Sequence, residues 1–424
     1  MLERPKLFVT LKEFWVVISL LLVILLIRLF GLHTEYTTFK SKPFFYTDVQ
    51  VLQAYEKWNE NNYHTVLKLY SPVLNINFFS RTKIRAKDIN SKIRLKLFPH
   101  EDMRFRDYLG TSFISSKVNT IYEEVPSSKY IFLNFIEKQH KNEQIYSFYK
   151  AIYVATPLLR TLREQVSKLG VSHLIALSGF HLAILSTVLF FLIRLGYRPL
   201  QQKFFPYRFD LYDIGFMVLI ILAWYVWFVD APPSLLRSYF MMFMAWILLV
   251  LGMELLSMSF LFTVVMLLLV IFPKLLLSLA FWFSVLGVFY IFLLLRYFEG
   301  VNRYLMTLFI TFGIFFLMLP VVHTIFPLTT LFQLLSPFLS LLFTLFYPLS
   351  MVLHLLGVGS LLDPYLLQLF AVESEEIFYQ LPLPYLYGYL ALSFSAIFSK
   401  WLFYCLSLVA LGFAIWLFSG FWVS

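Results

Sequence analysis

The sequence predicts a polytopic α-helical membrane protein that also carries one small β domain. Of its 424 residues, 60% are hydrophobic, 20% are aromatic and only 14% are charged. The mean hydropathy is +0.76, far from the average of soluble domains. Many apolar runs reach the length of about 20 residues that a spanning helix needs. One polar stretch, between the first two runs, shows the alternation of β-strands instead.

The apolar runs predict nine or ten transmembrane helices. They cover residues 14–31, 172–193, 212–229, 234–251, 255–272, 275–295, 304–323, 328–357, 382–399 and 401–420. Pro337 and Pro348 interrupt the run 328–357. We therefore expect a broken or re-entrant element there, because freed backbone groups need partners inside the protein.

The distribution of lysine and arginine predicts the orientation. The first span lacks a small-residue cleavage site, so it is expected to be an uncleaved signal anchor with a cytoplasmic N-terminus. The flanking cations are Arg4, Lys6 and Lys12 before the first span, and Arg194, Arg198, Lys203 and Arg208 after the second. We predict four parts: a signal-anchor helix (1–33), an extracytoplasmic β domain (34–146), an interfacial amphipathic helix (147–170) and a transmembrane domain (171–424). Cys405 is the only cysteine, so the β domain has no disulfide.

The β domain contains a strongly basic segment, RTKIRAKDINSKIRLKLF. Cations occupy every second position, which predicts a hairpin with one basic face and one apolar face. These cations are Arg81, Lys83, Arg85, Lys87, Lys92, Arg94 and Lys96. With strands expected at 64–71, 76–80 and 108–122, the domain is predicted to be a small barrel of the OB type. The cations either form a solvated face with protective edge lysines or bind a polyanion.

The second span opens with HLIALSGFHLAILS, which holds His173, Ser178, Gly179 and His181. In one continuous helix the two histidines would lie roughly 12 Å apart along the axis, too far to share a metal ion. If Ser178-Gly179 breaks the helix, both imidazoles can face a polar cavity. The alternative is that both are satisfied core histidines, and they are weak evidence for a hydrolase.

These residues carry a resemblance to a known family. GVSHLIALSGFHLAIL, with the preceding LREQVSKLG, is similar to the signature of the ComEC competence-protein family. APPSLLRSYFMM and FPKLLLSLAFWFSVLGVF resemble later family segments, and VVHTIFPLTTLFQLLSPF does so more loosely. In that last segment, Ser336-Pro337 stands where the family has an asparagine.

The resemblance implies a channel in the bacterial inner membrane that carries transforming, single-stranded DNA from the periplasm to the cytoplasm. The expected partners are DNA, membrane lipid, a periplasmic DNA receptor, a cytoplasmic helicase-like motor and single-strand-binding proteins. Homo-oligomer formation is left open. Longer family members carry a metallo-β-lactamase-like domain that this sequence does not include, so a separate nuclease is expected. No Walker A sequence occurs, so the motor must be another protein.

The segment APPSLLRSYF is interpreted as a phosphate contact. Pro232, Pro233 and Ser234 predict a helix start, and Arg237 is expected in the first turn, where the macrodipole favours an anion. The alternative is that Arg237 reaches a lipid phosphate.

Two other functions are possible from the sequence: a membrane hydrolase using His173 or His181, and a secondary transporter of a small anionic solute. A transporter often shows paired repeats, and no second copy of HLIALSGFH occurs. We expect no catalytic residues, no metal site and no cofactor.

Overall fold

In the computed structural model, the described residues are 7–8, 10–59, 62–85, 92–100, 102–122, 128–175, 177–254 and 257–422. They form two compact units. One consists of Phe8–Ser128 and Phe262–Phe281. The other consists mainly of Lys129–Leu261 and Trp282–Ser424.

The first unit contains a sheet that closes on itself. Its elements are α1 (Leu11–Ser41), β1 (Phe45–Asn59), β2 (Asn62–Ser71), β3 (Ile76–Thr82), β4 (Lys92–Phe98), α2 (Phe105–Leu109), β5 (Thr111–Phe113) and β6 (Ser115–Ile121). The strand order is β5-β3-β2-β1-β4-β6. Because β5 and β6 are consecutive, the segment 111–121 lies along both edges of the sheet. A hydrogen bond of 2.7 Å between the hydroxyls of Ser80 and Ser116 joins β3 to β6 at this closure.

The core of this β domain follows the predicted alternation on β4. Ile93, Leu95 and Leu97 are fully buried, whereas Lys92 and Arg94 are exposed. The other central members of this core are Val49, Leu67, Leu69, Ile76 and Phe78. The last turns of α1 also belong to the core, through Tyr36 and Phe39. The helix therefore continues past the expected boundary at residue 33 and ends inside the β domain.

The predicted basic hairpin is wrong, because β3 and β4 are not neighbours. β3 pairs with β2 and β5, and β4 pairs with β1 and β6. Arg81 lies near the end of β3, Lys83 and Arg85 follow the strand, and Lys87 falls outside the described residues.

Two strands, β2 and β1, lie between β3 and β4, and of these β1 was not predicted. Its alternation is hidden by a polar residue on the buried side, Thr47, whose hydroxyl lies 2.7 Å from that of Ser71.

The second part of the chain is mainly helical. Its elements are α3 (Ser128–Glu137), α4 (Glu143–Val154), α5 (Arg160–Lys168), α6 (Ser172–Ile175), α7 (Gly179–Phe204), α8 (Asp210–Phe228), α9 (Pro233–Val250), α10 (Met258–Ile271), α11 (Leu279–Tyr297), α12 (Arg303–Val322), β7 (Leu328–Thr329), α13 (Ser336–Leu355), α14 (Asp363–Phe370), β8 (Ile377–Phe378), α15 (Leu383–Ser395) and α16 (Lys400–Ser419). Short 3₁₀ turns precede α11, α13 and α14.

Seven helices of the described residues are long and apolar enough to cross a membrane, fewer than the nine or ten predicted. They are α1, α7, α8, α11, α12, α13 with its preceding turn, and α16. α9 and α10 are apolar but shorter, and the run expected at 382–399 forms the short α15. The run 328–357 is broken near its beginning, where Pro337 starts α13, and Pro348 is accommodated within the helix.

The expected interfacial helix 147–170 is two helices. Ala155 ends α4 in the left-handed conformation, with φ 58°. Most of α4 is buried, including Phe148, Tyr149 and Tyr153, whereas α5 buries only Leu162 and Val166. Only α5 therefore has the two-sided character that was predicted for the whole segment.

Candidate functional site

The first component of the site is a helix break at the Ser178-Gly179 pair. α6 ends at Ile175 and α7 begins at Gly179 with Ser178 as its N-cap. The Ser178 hydroxyl accepts a hydrogen bond from the Phe180 amide at 3.3 Å, and His181 Nδ1 accepts from the Ser178 amide at 3.3 Å. These contacts satisfy amides that a helix start leaves without partners. The predicted break is present, and its own side chains stabilise it.

The two histidines of this segment occupy different surroundings. His181 is 1% exposed and packs edge to face against Phe343 and Tyr347, with ring centroids 5.1 and 5.0 Å away. Because its Nδ1 accepts a hydrogen bond, the neutral ring carries its hydrogen on Nε2, an atom without a hydrogen-bond partner among the described residues. His173 is exposed, and its Nε2 lies 3.5 Å from the Ser340 hydroxyl. The site therefore contains one buried donor, on His181, that is available to a ligand.

The second component is the start of α9, which the sequence placed correctly at Pro233. The Ser234 hydroxyl donates to the Leu177 carbonyl at 2.8 Å, which ties α9 to the helix break. A Cβ atom at Gly179 would lie only 2.7 Å from the Ser238 hydroxyl oxygen. A larger residue at position 179 would therefore displace Ser238, because α7 and α9 approach each other closely there.

Arg237 is the fifth residue of α9, just beyond the first turn where we expected it. Its side chain is enclosed by the protein, since the residue is only 4% exposed. Reaching out to a lipid phosphate is therefore not its role in this structure. A buried guanidinium close to the start of a helix is a strong local source of positive potential.

The third component comes from the segment before and within α13. Ser336 is buried, and its hydroxyl donates to the Gly170 carbonyl at 3.0 Å. The Thr330 hydroxyl donates to the Lys168 carbonyl. Ser336, which replaces the asparagine of the family pattern, thus retains a polar role.

Gln333 was not singled out in the sequence, yet it packs directly on Gly170. A Cβ atom at Gly170 would lie 3.1 Å from Gln333 Cγ, and the glycine has a φ of +67° that disfavours other residues. Gln333 Nε2 also donates to the Leu328 carbonyl at 3.0 Å. A lone glutamine in an apolar run was the only sequence signal for this contact.

One ion pair borders the same loop. Lys168 Nζ lies 2.7 Å from Glu376 Oε1, with both side chains partly exposed. The hydrogen bond to Glu376 raises the pKa of Lys168, so the lysine is charged at neutral pH. The three components therefore meet around residues 167–181, which we call the motif junction.

The basic residues of the β domain form two separate groups. The β4 patch consists of Phe44, Tyr46, Arg94, Lys96 and Lys117, and Tyr46 and Lys117 are register partners of Lys96 on either side. Lys96 Nζ lies 3.9 Å from the ring centroid of Phe44 and 5.6 Å from that of Tyr46. The second group lies on β3 and β5, where the Arg81 guanidinium sits 5.1 Å from the ring centroid of Phe113.

These features define a multi-pass helical membrane protein with a break at its motif junction and a small closed β domain. A family model described as "Competence protein" matches residues 157–423, and the chain belongs to that family. The motif junction and every helix from α6 to α16 lie within the matched region. Comparisons with curated proteins and with solved structures gave no significant match. Family and helices agree with a competence-related role in DNA uptake at a membrane.

Proposed function

We propose that this protein is an inner-membrane channel that carries single-stranded transforming DNA from the periplasm to the cytoplasm. The observation that carries this proposal is the motif junction. There, three sequence segments place a free histidine N–H, a buried arginine and several hydroxyls at a helix break in an apolar bundle. A strand passing through a membrane needs such groups, because each phosphate carries a charge that hydrocarbon cannot solvate.

The β domain is proposed to be an OB-like, extracytoplasmic docking domain. Its strand neighbours, β1-β2-β3 followed by the shared segment 111–121 and β4, form a closed five-membered arrangement of the kind found in OB-folds. The β4 patch combines cations with exposed aromatic rings, the two features that bind single strands through phosphates and stacked bases. Docking is therefore assigned to the β4 patch instead of the predicted hairpin.

The proposed topology places the N-terminus in the cytoplasm and residues 138–170 along the outer membrane surface. α13 contacts that segment near both of its ends. Its first residue, Ser336, contacts Gly170, and its last turn contacts His140 through His354. Segment 138–170 and α13 are therefore expected to lie at the same depth relative to the membrane. We propose that α13 lies in the outer interface, with Leu345 and Val352 on its exposed apolar face.

Site-directed labelling tests this topology in a Cys405→Ser background. Single cysteines at Val73, Asn142 and Arg160 should react with an impermeant reagent from outside, and a cysteine at Tyr207 should react only after the membrane is opened. Val73 and Tyr207 are both highly exposed. Reaction at Asn142 and Arg160 from opposite sides would show that segment 138–170 and α13 cross the membrane.

A two-compartment uptake assay tests the channel. Labelled DNA is measured separately in the periplasm and in the cytoplasm of cells expressing Gly179→Leu. We expect normal periplasmic DNA and loss of cytoplasmic DNA, because leucine fills the close approach between α7 and α9. Gly196→Leu is the matched control: it lies on the same helix, and a Cβ atom there meets nothing within 4 Å.

Two results of this assay would contradict the proposed role. Normal cytoplasmic DNA with well-expressed Gly179→Leu would show that the motif junction is not on the path. Loss of periplasmic DNA in cells without the protein would move its role to an earlier step. The DNA receptor, the helicase-like motor, single-strand-binding proteins and a separate nuclease remain proposed partners.

A further inference from the structure

A second polar cluster lies outside the motif junction and has no place in the proposed path. It joins three residues that are far apart in sequence: His140 between α3 and α4, His354 in the last turn of α13, and Asp363 at the start of α14. His140 Nδ1 lies 3.0 and 2.9 Å from the two carboxylate oxygens of Asp363. His140 Nε2 lies 2.9 Å from His354 Nε2, and His354 Nδ1 lies 2.6 Å from the Ser350 carbonyl oxygen.

The hydrogens of this chain can be assigned from the Ser350 end. A carbonyl oxygen only accepts, so His354 Nδ1 must carry a hydrogen. In a neutral ring His354 Nε2 is then an acceptor, and His140 Nε2 must be the donor in the link between the rings. A neutral His140 would consequently present the lone pair of Nδ1 to the carboxylate of Asp363.

This row of three hydrogen bonds therefore needs one hydrogen more than the two neutral imidazole rings supply. Three links need three hydrogens, two neutral imidazoles bring two, and an ionised carboxylate brings none. We infer that His140, His354 and Asp363 form a proton-binding site, which takes one proton from solution and uses it to join segment 138–142 to α13 and α14. The His140 side chain is fully enclosed, whereas that of Asp363 is 14% exposed, so the proton enters from water and leaves to water at Asp363.

The aromatic residues around the site do not supply this proton. From α4, Tyr149 stacks on His140 with ring centroids 4.6 Å apart and meets His354 edge on at 4.5 Å. The Tyr153 hydroxyl lies 3.4 Å from His354 Nδ1 and donates to the Ser350 hydroxyl at 2.7 Å. Burial raises the pKa of both tyrosines, so they remain neutral. The carboxylate of Asp363 is the negative charge that faces the imidazoles.

Two neighbouring hydrogen bonds of Gln139 also join segment 138–142 to α13 and to the turn before α14, and they do so without an added proton. Gln139 Nε2 donates to the His354 carbonyl at 3.1 Å, and the Gly359 amide donates to Gln139 Oε1 at 2.9 Å. These bonds are indifferent to pH between 5 and 9, because amides do not titrate there. The Gln139 hydrogen bonds therefore provide an internal control for a test of proton binding.

Loss of the proton sets a lone pair against a carboxylate inside the protein, which weakens the link. We call the link closed when His140 is hydrogen-bonded to Asp363 and His354, and open when these bonds are broken. The folded protein binds the proton in the closed state and releases it in the open state. The closed link is therefore favoured at low pH and is lost as the pH rises. Helix α13 extends this effect toward the motif junction, because its Tyr347 packs on His181. Proton binding itself can be measured without DNA and does not depend on the proposed function.

The test is hydrogen exchange of the full-length protein in lipid nanodiscs between pH 5 and pH 9. The readout is the opening equilibrium of a peptide covering residues 136–144, after division by the intrinsic chemical exchange rate at each pH. In the range of proton release, the opening constant should rise about tenfold per pH unit, because one proton is linked to closing.

Asp363→Asn should abolish this pH dependence and keep the link closed. The asparagine amide donates to His140 Nδ1, so the chain is complete with two neutral imidazoles. Gln139→Ala should increase opening by a constant factor at every pH and retain the slope. His140→Gln, a second variant should Asp363→Asn not fold, should also lose the slope. An equal slope in wild type and Asp363→Asn, or no slope in wild type, would overturn the inference.

Discussion

The β domain and the helical unit both have apolar cores, but they differ in the side chains that they expose and in the polar side chains that they bury. In the β domain, Leu69, Phe78 and Leu95 are inside, while Lys92 and Arg94 are outside. In the helical unit, the exposed positions include large apolar side chains at Leu342, Leu345, Leu349 and Val352 on one face of α13. Its buried positions include the polar residues His181, Arg237, Gln333, Ser350 and His354.

The difference reflects the two solvents. Water drives apolar side chains inward in the β domain. Lipid exerts no such force, so a helical unit can expose leucine and valine and is held by packing and polar contacts inside. Buried polar groups in such a unit are expensive, and they concentrate where function needs them. The motif junction and the proton-binding site are both interior polar clusters of this kind.

The largest effect is expected from removing a large side chain of the β-domain core. Phe78→Ala should destabilise the domain by about 3 to 5 kcal/mol, because it leaves a cavity at a fully buried position. Chemical unfolding of the full-length protein, followed by limited proteolysis of the domain, measures it. Phe113→Ala is the control at a position 49% exposed, and it should cost far less. Equal losses would mean that the domain has no conventional core.

The next effect tests the outward face of α13. Leu345→Asp places a carboxylate at a position 71% exposed, which water would tolerate and lipid would not. If the face lies in the outer interface as proposed, the cost, measured as lost membrane-inserted protein, should stay below about 2.5 to 3.5 kcal/mol, the cost of an aspartate at the centre of a spanning helix. The full cost would show that α13 spans the membrane. The β-domain counterpart, Asn119→Asp, should change stability by less than about 0.5 kcal/mol. A harmless Leu345→Asp would place this face in water.

A smaller effect is expected at the contact between α7 and α9. Gly179→Ala should destabilise the protein by about 1 to 3 kcal/mol through overpacking against Ser238. Ser238→Gly should restore much of this loss in the double variant, because it removes the atoms that the new Cβ meets. Thermal unfolding of the four proteins of this cycle measures the coupling. Purely additive losses would show that the two residues do not touch.

The smallest effect concerns the β4 patch. Lys96→Gln should reduce the slope of log Kd against log salt for single-stranded DNA by about 0.7, the contribution of one phosphate contact. Lys83→Gln, beyond the end of β3, is the control and should leave the slope unchanged. Full-length protein in nanodiscs and a fluorescent oligonucleotide provide the measurement. If Lys83 alone flattens the slope, DNA docks on the other side of the sheet.

Local features of the fold were predictable from the sequence. The break at Ser178-Gly179 and the helix start at Pro233 were placed correctly, because capping hydroxyls and proline act within one turn. The alternation on β4 was also correct, because strand geometry repeats every two residues. Nine or ten spans were predicted, and seven helices among the described residues are long and apolar enough to cross a membrane, because apolar runs alone do not reveal how long each helix is.

Pairings between distant segments were beyond such reasoning. The basic hairpin failed because β1, with Thr47 on its buried side, takes the place next to β4. Gln333 and the proton-binding site went unnoticed because their residues become neighbours only in the folded chain.

The sequence by itself thus determined a multi-pass membrane protein with a β domain, its helix breaks and its family signature. All of these depend on composition or on residues within a few positions of each other. Tertiary structure alone decided which strands pair and which segments meet at the motif junction. It also brought His140 within hydrogen-bonding distance of Asp363, 223 positions away. Such contacts depend on the packing of the whole chain, because no local spacing specifies which distant residue lies opposite.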